Sequence, residues 1–225
     1  MKAIYFSGLN GLRAIAALAV VISHTTLALG DFNLNYSLIA PLLGPDNNGW
    51  LLAGHGVTIF FVLSGFLITF LLLSEKDLQD IDIKKFYVRR ILRIWPLYYL
   101  YFIICVGLIW YDQQSLPPNT ILFYVFYAAN IPFIIGSSLP YLSHYWSLGV
   151  EEQFYLFWPL VIKKVNKHLM VTIISLIFLL LSSKILFHFY CDNPVFSTGI
   201  NVTRFHCMMI GALGALLYKQ KHFLF

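Results

Sequence analysis

Charged side chains are scarce in this sequence. Only 11% of the 225 residues are charged, less than half of the roughly 25% typical of soluble domains, whereas 59% are hydrophobic. The core of a soluble domain does not require so many apolar residues. The composition therefore excludes an ordinary soluble domain and predicts a membrane protein. Cysteine is also rare, and its three widely spaced residues favour neither a disulfide framework nor a zinc site.

Long apolar runs define the expected architecture, because about 20 apolar residues are enough to cross a bilayer as a helix. We predict an all-α, polytopic helical bundle that forms one membrane domain over residues 1–225. About six full spans are expected, at 12–30, 53–73, 94–111, 145–162, 168–188 and 201–218. A further apolar segment, 119–142, is interrupted by Asn130, Pro132, Gly136 and Pro140, which predicts a broken or re-entrant element.

Basic residues set the expected orientation, because cytoplasmic loops of membrane proteins are enriched in Lys and Arg. The loop before and at the start of the third span carries Lys76, Lys84, Lys85, Arg89, Arg90 and Arg93. We therefore expect a protein integral to the cytoplasmic (inner) membrane, with this loop and the N-terminus in the cytoplasm. Later loops keep this orientation only if 119–142 makes no net crossing; a true crossing would invert them, and that alternative stays open. The first span starts late for a signal peptide, so we do not expect its cleavage.

Two ionisable residues lie in the first span. Arg13 and His24 are eleven positions apart, so they share one helix face and are separated by about 16 Å along the axis. Ionisable groups are costly inside a bilayer and usually mark a function, which suggests a path from the cytoplasm into the membrane. Taken singly, Arg13 could be a basic anchor at the membrane surface, and His24 could be hydrogen-bonded to a neighbouring helix.

A dense basic cluster opens the third span in the stretch KKFYVRRILRIWPLYYL, residues 84–100. Arg90 and Arg93 are three positions apart, so both can face one ligand if the segment is helical. Guanidinium groups bind phosphates in bidentate fashion, which makes this pair a candidate phosphate site. A basic loop that binds anionic lipid headgroups has the same pattern.

Two adjacent acids interrupt the apolar stretch HYWSLGVEEQFYLFWPL, residues 144–160. A carboxylate near His24 could fix its tautomer and stabilise its charged form. The acids could instead favour the first turns of a helix through its dipole. Helical periodicity places Glu151 on a polar and aromatic stripe with Tyr155, so we expect Glu151 rather than Glu152 to face a cavity.

Four motifs occur in a characteristic order: GLRAIAALAVVISH, GVTIFFVLSGFLIT, FYVRRILRIWPLYYL and HYWSLGVEEQFYLFWP. With them the chain resembles the acyltransferase-3 family of integral membrane O-acyltransferases from about residue 7 to 217. The Arg-x10-His pair and the Trp-Ser-Leu-x-x-Glu-x-x-Phe-Tyr block are the more specific features.

The resemblance implies transfer of an acyl group, usually acetyl, from cytoplasmic acyl-CoA to a hydroxyl of an envelope polysaccharide or glycolipid. It marks His24 and Glu151 as catalytic residues, and Arg13, Arg90 and Arg93 as residues that bind the donor. The implied partners are the lipid bilayer, acetyl-CoA or another acyl-CoA, and a glycan or glycolipid acceptor. Neither a metal nor a nucleic acid is expected.

Two other functions stay open at this point. Buried Arg, His and Glu residues along a membrane path also suit a proton-coupled transporter or flippase component. Members of the family usually continue for several more spans, so the chain is expected to lack the last spans of the family and could be an inactive fragment.

Overall fold

The structure, a computed structural model, describes residues 6–31, 50–165 and 168–223, and within these ranges it contains helices but no strands. The helices are α1 (Ser7–Asp31), α2 (Trp50–Lys76), α3 (Ile83–Tyr111), α4 (Pro118–Val125), α5 (Asn130–Ile134), α6 (Tyr145–Lys164), α7 (Leu169–Tyr190), α8 (Pro194–Val202) and α9 (Phe205–Phe223). Five stretches of the described chain are long and apolar enough to cross a membrane: Gly8–Thr26, Leu52–Lys76, Ile83–Tyr111, Leu169–Tyr190 and Pro194–Gln220. The predicted all-α membrane bundle is confirmed.

Helix boundaries follow the apolar runs, with two differences. α3 begins well before the predicted span because Asp82 caps it, and its Oδ1 accepts the backbone N–H of Lys85 at 3.0 Å. The same backbone hydrogen bond lowers the pKa of Asp82. The last apolar stretch is divided into α8 and α9 by a break at Thr203 and Arg204.

Glycines allow the closest helix contacts of the bundle. A Cβ on Gly65 of α2 would lie 1.9 Å from the Met208 carbonyl oxygen of α9, and a Cβ on Gly211 of α9 would lie 1.9 Å from the Val62 carbonyl oxygen of α2. Gly56 lets α1 approach α2 in the same way, since a Cβ there would lie 2.8 Å from a carbonyl oxygen of α1. Small residues of this kind bring membrane helices into backbone contact.

α6 is long enough to span a membrane but is not among the five apolar stretches, and one side of it is buried by protein. Its residues Phe154, Trp158 and Ile162 are buried in a core shared with α2, α7 and α9. The Trp158 indole N–H donates to Thr69 Oγ1 at 2.8 Å, so the polar atom of this buried ring is satisfied. A helix side that packs against protein rather than lipid can carry polar residues.

The segment 119–142 is broken, as expected. It contains α4 and the five-residue α5 rather than one continuous helix. Turns with left-handed backbone occur at Tyr127 (φ 55°), Gly136 (φ 71°) and Tyr141 (φ 62°).

Antiparallel packing of α3 and α6 shows at which end of the bundle the segment between them begins and ends. The Tyr87 hydroxyl, near the start of α3, donates to the Leu156 carbonyl oxygen in the second half of α6. The Tyr145 hydroxyl, at the start of α6, donates to the Tyr98 carbonyl oxygen further along α3 at 2.9 Å. The segment 112–144 therefore leaves and rejoins the bundle at the same end.

Basic residues gather at the other end of the bundle. Lys76 Nζ donates to the Ile162 carbonyl oxygen, and Lys163 Nζ donates to the Ile81 carbonyl oxygen, both at 2.8 Å. These bonds join the end of α2, the start of α3 and the end of α6. We refer to this as the basic end and to the end that contains 112–144 as the opposite end.

Candidate active site

A cavity of about 700 Å³ lies between α1, α2, α6 and α8, towards the opposite end. Its wall is mainly apolar and aromatic, and a few polar side chains face into it. The described residues that line it are Val20, His24, Ala53, Gly54, Val57, Phe60, Phe61, Phe133, His144, Trp146, Ser147, Leu148, Glu151, Thr198, Asn201, Val202 and Arg204. A mostly apolar cavity with a few convergent polar groups is typical of a small-molecule site.

His24 lines this cavity with a defined tautomer. Its Nδ1 lies 2.8 Å from the Val20 carbonyl oxygen one turn earlier in α1. A carbonyl oxygen can only accept, so Nδ1 carries the proton. In the neutral ring Nε2 is therefore unprotonated, and no residue of the described chain forms a hydrogen bond with it. The lone pair on Nε2 is available to accept a proton or to act as a nucleophile.

A second imidazole lines the cavity at the start of α6. His144 lies close enough to His24 for the charges of the two rings to interact. Its ring contacts Tyr101 and Tyr145 with centroid distances of 5.7 Å and 5.1 Å. Aromatic contacts on two sides restrict the orientation of this histidine at the cavity wall.

Glu151 lines the cavity from α6 but does not contact His24. Its Oε1 accepts the Ser64 hydroxyl at 2.8 Å, and the Tyr155 hydroxyl lies 3.5 Å from Oε2. Arg13 is within electrostatic reach of this carboxylate, whereas His24 is about 16 Å further along α1. No hydrogen bond joins Glu151 to His24 in the described part of the chain, and the His24 Nδ1 is bonded to the Val20 carbonyl oxygen instead.

Glu152 has a different environment from its neighbour. It does not line the cavity, and its Oε1 is buried without a hydrogen-bond partner in the described part of the chain. The charge of Arg90 acts on both glutamates. Of the two acids, only Glu151 therefore combines cavity access with a fixed hydrogen bond.

The two arginines of the predicted pair differ in exposure. Arg90 is half-buried, and its guanidinium carbon lies 5.0 Å from the Tyr155 ring centre and 5.7 Å from that of Phe86. Arg93 is close enough for the two like charges to interact but is exposed. Arg90 thus points towards the glutamates, and Arg93 points towards solvent.

Two other cations of the basic cluster are already paired. Arg89 lies 3.1 Å from Glu75, and Lys85 lies 3.4 Å from Asp82. Arg93 has no carboxylate within ion-pair distance among the described residues. It is therefore free to bind an external anion.

Arg204 is an additional cation in the cavity wall. Its Nη1 donates to the Gly54 carbonyl oxygen and to Thr58 Oγ1, both at 2.7 Å. Its Nε donates to the Asn201 carbonyl oxygen at 2.9 Å. These bonds tie the break between α8 and α9 to the first turns of α2.

Sequence reasoning missed three residues of the site: Ser64, His144 and Arg204. Their partners are distant in the chain, as with Ser64 and Glu151, which are 87 positions apart. One local signal existed for Arg204, which is the only Lys or Arg between positions 185 and 218. Within the described ranges, no group of three or more His, Cys, Asp or Glu residues could hold a metal.

Fold and site together define an integral membrane helical bundle with an imidazole and a carboxylate in one apolar cavity. Comparison with known families extends this description. The family described as "Acyltransferase domain" matches residues 6–224. The chain belongs to the acyltransferase-3 family of integral membrane O-acyltransferases.

Related proteins come from Staphylococcus aureus. The protein named O-acetyltransferase OatA in strain NCTC 8325 is 31% identical over 234 residues, which cover 95% of this chain and 35% of that protein. A protein of strain COL, named only provisionally as an O-acetyltransferase, is 36% identical over 172 residues, which cover 70% of this chain and 25% of that protein. The chain thus spans about a third of the length of the relatives it matches. No solved structure gives a significant match.

Proposed function

We propose that the chain transfers an acyl group, most simply acetyl, from acyl-CoA to a hydroxyl of an envelope polysaccharide or glycolipid. The observation that carries this proposal is the common cavity: His24 and Glu151 both line it, and Arg13 and Arg90 act electrostatically on that carboxylate. Family membership and the names of the two relatives support O-acyl transfer.

The donor binds at the basic end, which the loop-charge rule makes cytoplasmic in an inner-membrane protein. CoA carries its phosphates and its thioester at opposite ends of a long, flexible arm. Arg93 is exposed in the first half of α3, the helix that starts at the basic end, and suits a phosphate. Along α1, Arg13 and His24 are separated by about 16 Å, so an arm that follows this helix brings the thioester to His24.

His24 is the catalytic residue of this proposal, and its Nε2 is the reacting atom. Nε2 takes the proton of the acceptor hydroxyl, and the hydroxyl oxygen attacks the thioester carbonyl carbon. The carbon–sulfur bond breaks, and the CoA thiolate takes the proton from the imidazolium. Alternatively, Nε2 itself attacks the thioester and passes the acyl group to the hydroxyl. Both routes need the lone pair that the Nδ1 hydrogen bond leaves free.

Glu151 acts through the arginines rather than on the reacting atoms. Its carboxylate is held by Ser64 and provides the negative charge opposite Arg13 and Arg90. Buried cations without a counter-charge are costly, so removal of this carboxylate shifts both side chains. We therefore propose that Glu151 positions Arg13 and Arg90 beside the cavity, and that the arm of the donor enters there.

Mass spectrometry of envelope glycans tests the proposal in cells. A strain without the gene is complemented with the wild type, with His24→Ala or with His168→Ala at matched membrane levels. His168 is an exposed histidine before α7 and does not line the cavity, so it is a matched control. The wild type and His168→Ala should restore an acyl mass difference, and His24→Ala should not.

Two outcomes contradict the proposal. Full restoration by His24→Ala removes the catalytic role of this histidine. Identical glycan masses in all strains, with or without the gene, remove acyl transfer to the envelope and favour the transporter alternative.

A further inference from the structure

Arg204 is a cation in the cavity wall that the proposed transfer does not use. Its guanidinium is fixed by three hydrogen bonds, to the Gly54 carbonyl oxygen, Thr58 Oγ1 and the Asn201 carbonyl oxygen. All three acceptors are neutral. The bonds therefore hold the group in place without neutralising its charge.

The charge of Arg204 has no counter-ion in the described part of the chain, where no carboxylate lies within ion-pair distance of it. Its Nη2 also forms no hydrogen bond with any described residue. A cation inside a membrane protein is costly and usually faces a partner or a ligand pathway. A bound anion at Nη2 provides the missing charge, with a charge-assisted hydrogen bond.

Aromatic rings adjoin this guanidinium. Its carbon lies 6.0 Å from the Trp146 ring centre. Trp146 stacks on Phe133 at 5.4 Å and meets Phe61 edge-on at 6.0 Å, so its orientation is fixed from two sides. Because Trp146 lines the cavity, its fixed indole offers apolar ring atoms to the C–H groups of a sugar.

We propose that Arg204 and Trp146 form the acceptor subsite of the cavity, and that this subsite selects a sugar that carries a carboxylate. The sugar packs against the cavity-lining atoms of Trp146, and its carboxylate accepts hydrogen bonds from Nη2 of Arg204. His24 lines the same cavity, so a hydroxyl of the bound sugar can face the reacting imidazole. That this ligand is the acyl acceptor rests on the proposed function; the carboxylate selectivity does not.

Binding without the donor tests the selectivity directly. The full chain in nanodiscs is titrated with a glucuronic acid-terminated trisaccharide and with its glucose-terminated counterpart, which lacks only the carboxylate. The wild type should bind the acidic probe about tenfold more tightly or better. Arg204→Gln should lose this preference, and Arg204→Lys should keep part of it because the charge remains. Lys184→Gln is the control, since Lys184 is a half-buried cation in the wall of a different cavity.

Several outcomes overturn the inference: equal affinity of the wild type for both probes, no binding of either, or a preference that persists in Arg204→Gln. If Arg204→Gln does not fold in a thermal unfolding control, Trp146→Leu tests the subsite instead: loss of the indole should weaken the binding of both probes equally, and unchanged affinity for both overturns the subsite. Selective binding without any acyl transfer by the purified chain refutes the proposed function but not the subsite. Transfer to neutral sugars with no preference for a carboxylate refutes the subsite but not the proposed function.

Discussion

The two adjacent glutamates of α6 have the same chemistry but different surroundings. Glu151 lines the cavity and accepts a hydrogen bond from Ser64, whereas Glu152 is turned away from the cavity. Successive residues of a helix point about 100° apart, so two neighbours cannot occupy the same face. This difference makes the two side chains separable by mutation.

Glu151→Gln should lower the rate of acyl transfer roughly tenfold or more, because it removes a charge-assisted hydrogen bond and the counter-charge of two arginines. Glu152→Gln should change the rate much less. Initial rates at matched protein levels measure this, and a rise in the donor KM of Glu151→Gln should show that it acts through the donor site. Similar losses of rate in both variants contradict the argument that only Glu151 faces the cavity. A loss of rate in Glu152→Gln alone assigns the positioning role to Glu152.

Arg90 and Arg93 should also differ. Arg90→Gln removes a guanidinium that packs on Tyr155 and faces the glutamates, so it should lower both the melting temperature and the transfer rate. Arg93→Gln should raise the donor KM and leave the melting temperature unchanged, since Arg93 is exposed. A lower melting temperature for Arg93→Gln, or an unchanged one for Arg90→Gln, contradicts the division between buried and exposed roles.

Local periodicity predicted part of the site, and tertiary contacts determined the rest. Arg13 and His24 share a face of α1 because they are eleven positions apart, which is about three helical turns. The same periodicity predicted that Glu151 faces the cavity. The partner of Glu151 could not be predicted, because Ser64 is 87 positions away. The contact between Arg204 and Gly54 joins residues 150 positions apart, across two helices whose crossing no local pattern defines.

At the scale of the helices, hydropathy predicted the five stretches that can span a membrane, whereas the predicted span 145–162 is not among them. Hydropathy also did not predict all of the helix ends. α3 starts early because the Asp82 cap stabilises a turn that hydropathy alone does not detect. The break between α8 and α9 is occupied by Arg204, whose bonds to α2 lie outside any local pattern. Close approach of α2 and α9 also depends on two helices together, and the glycines that permit it are visible in the sequence only singly.

Gly65→Ala should destabilise the bundle strongly. Its Cβ would lie 1.9 Å from the Met208 carbonyl oxygen, and overpacking of this kind typically costs about 1–3 kcal/mol. Gly107→Ala in α3 is the matched control, because a Cβ there meets nothing within 4 Å. Thermal unfolding in detergent should show a lower melting temperature for Gly65→Ala and an equal or higher one for Gly107→Ala. Equal stability of the two variants contradicts the proposed backbone contact.

At the scale of the whole molecule, antiparallel packing of α3 and α6 returns 112–144 to the end at which it started. The basic residues at the ends of α2 and α6 therefore lie at one end of the bundle. By the loop-charge rule we expect this basic end to be cytoplasmic. α7 starts at the basic end, and its 22 residues extend about 33 Å towards the opposite end.

Cys191, at the end of α7, should therefore be outside the cell. A membrane-impermeant thiol reagent should label it in intact cells, whereas Cys105 and Cys207 are buried and should not react. Lys164→Cys, introduced at an exposed position of the basic end, should be labelled only after the membrane is opened. Protection of Cys191 together with external labelling of Lys164→Cys reverses the orientation.

The most direct test of the central claim is CoA release from acetyl-CoA by the purified chain in nanodiscs with a glycan acceptor. The wild type should release CoA at a rate that depends on the acceptor, and His168→Ala should match it. His24→Ala should release none while it still binds CoA, because the proposed phosphate site at Arg93 does not include His24. Release by His24→Ala at the wild-type rate, or no release by the wild type, contradicts acyl transfer at this histidine.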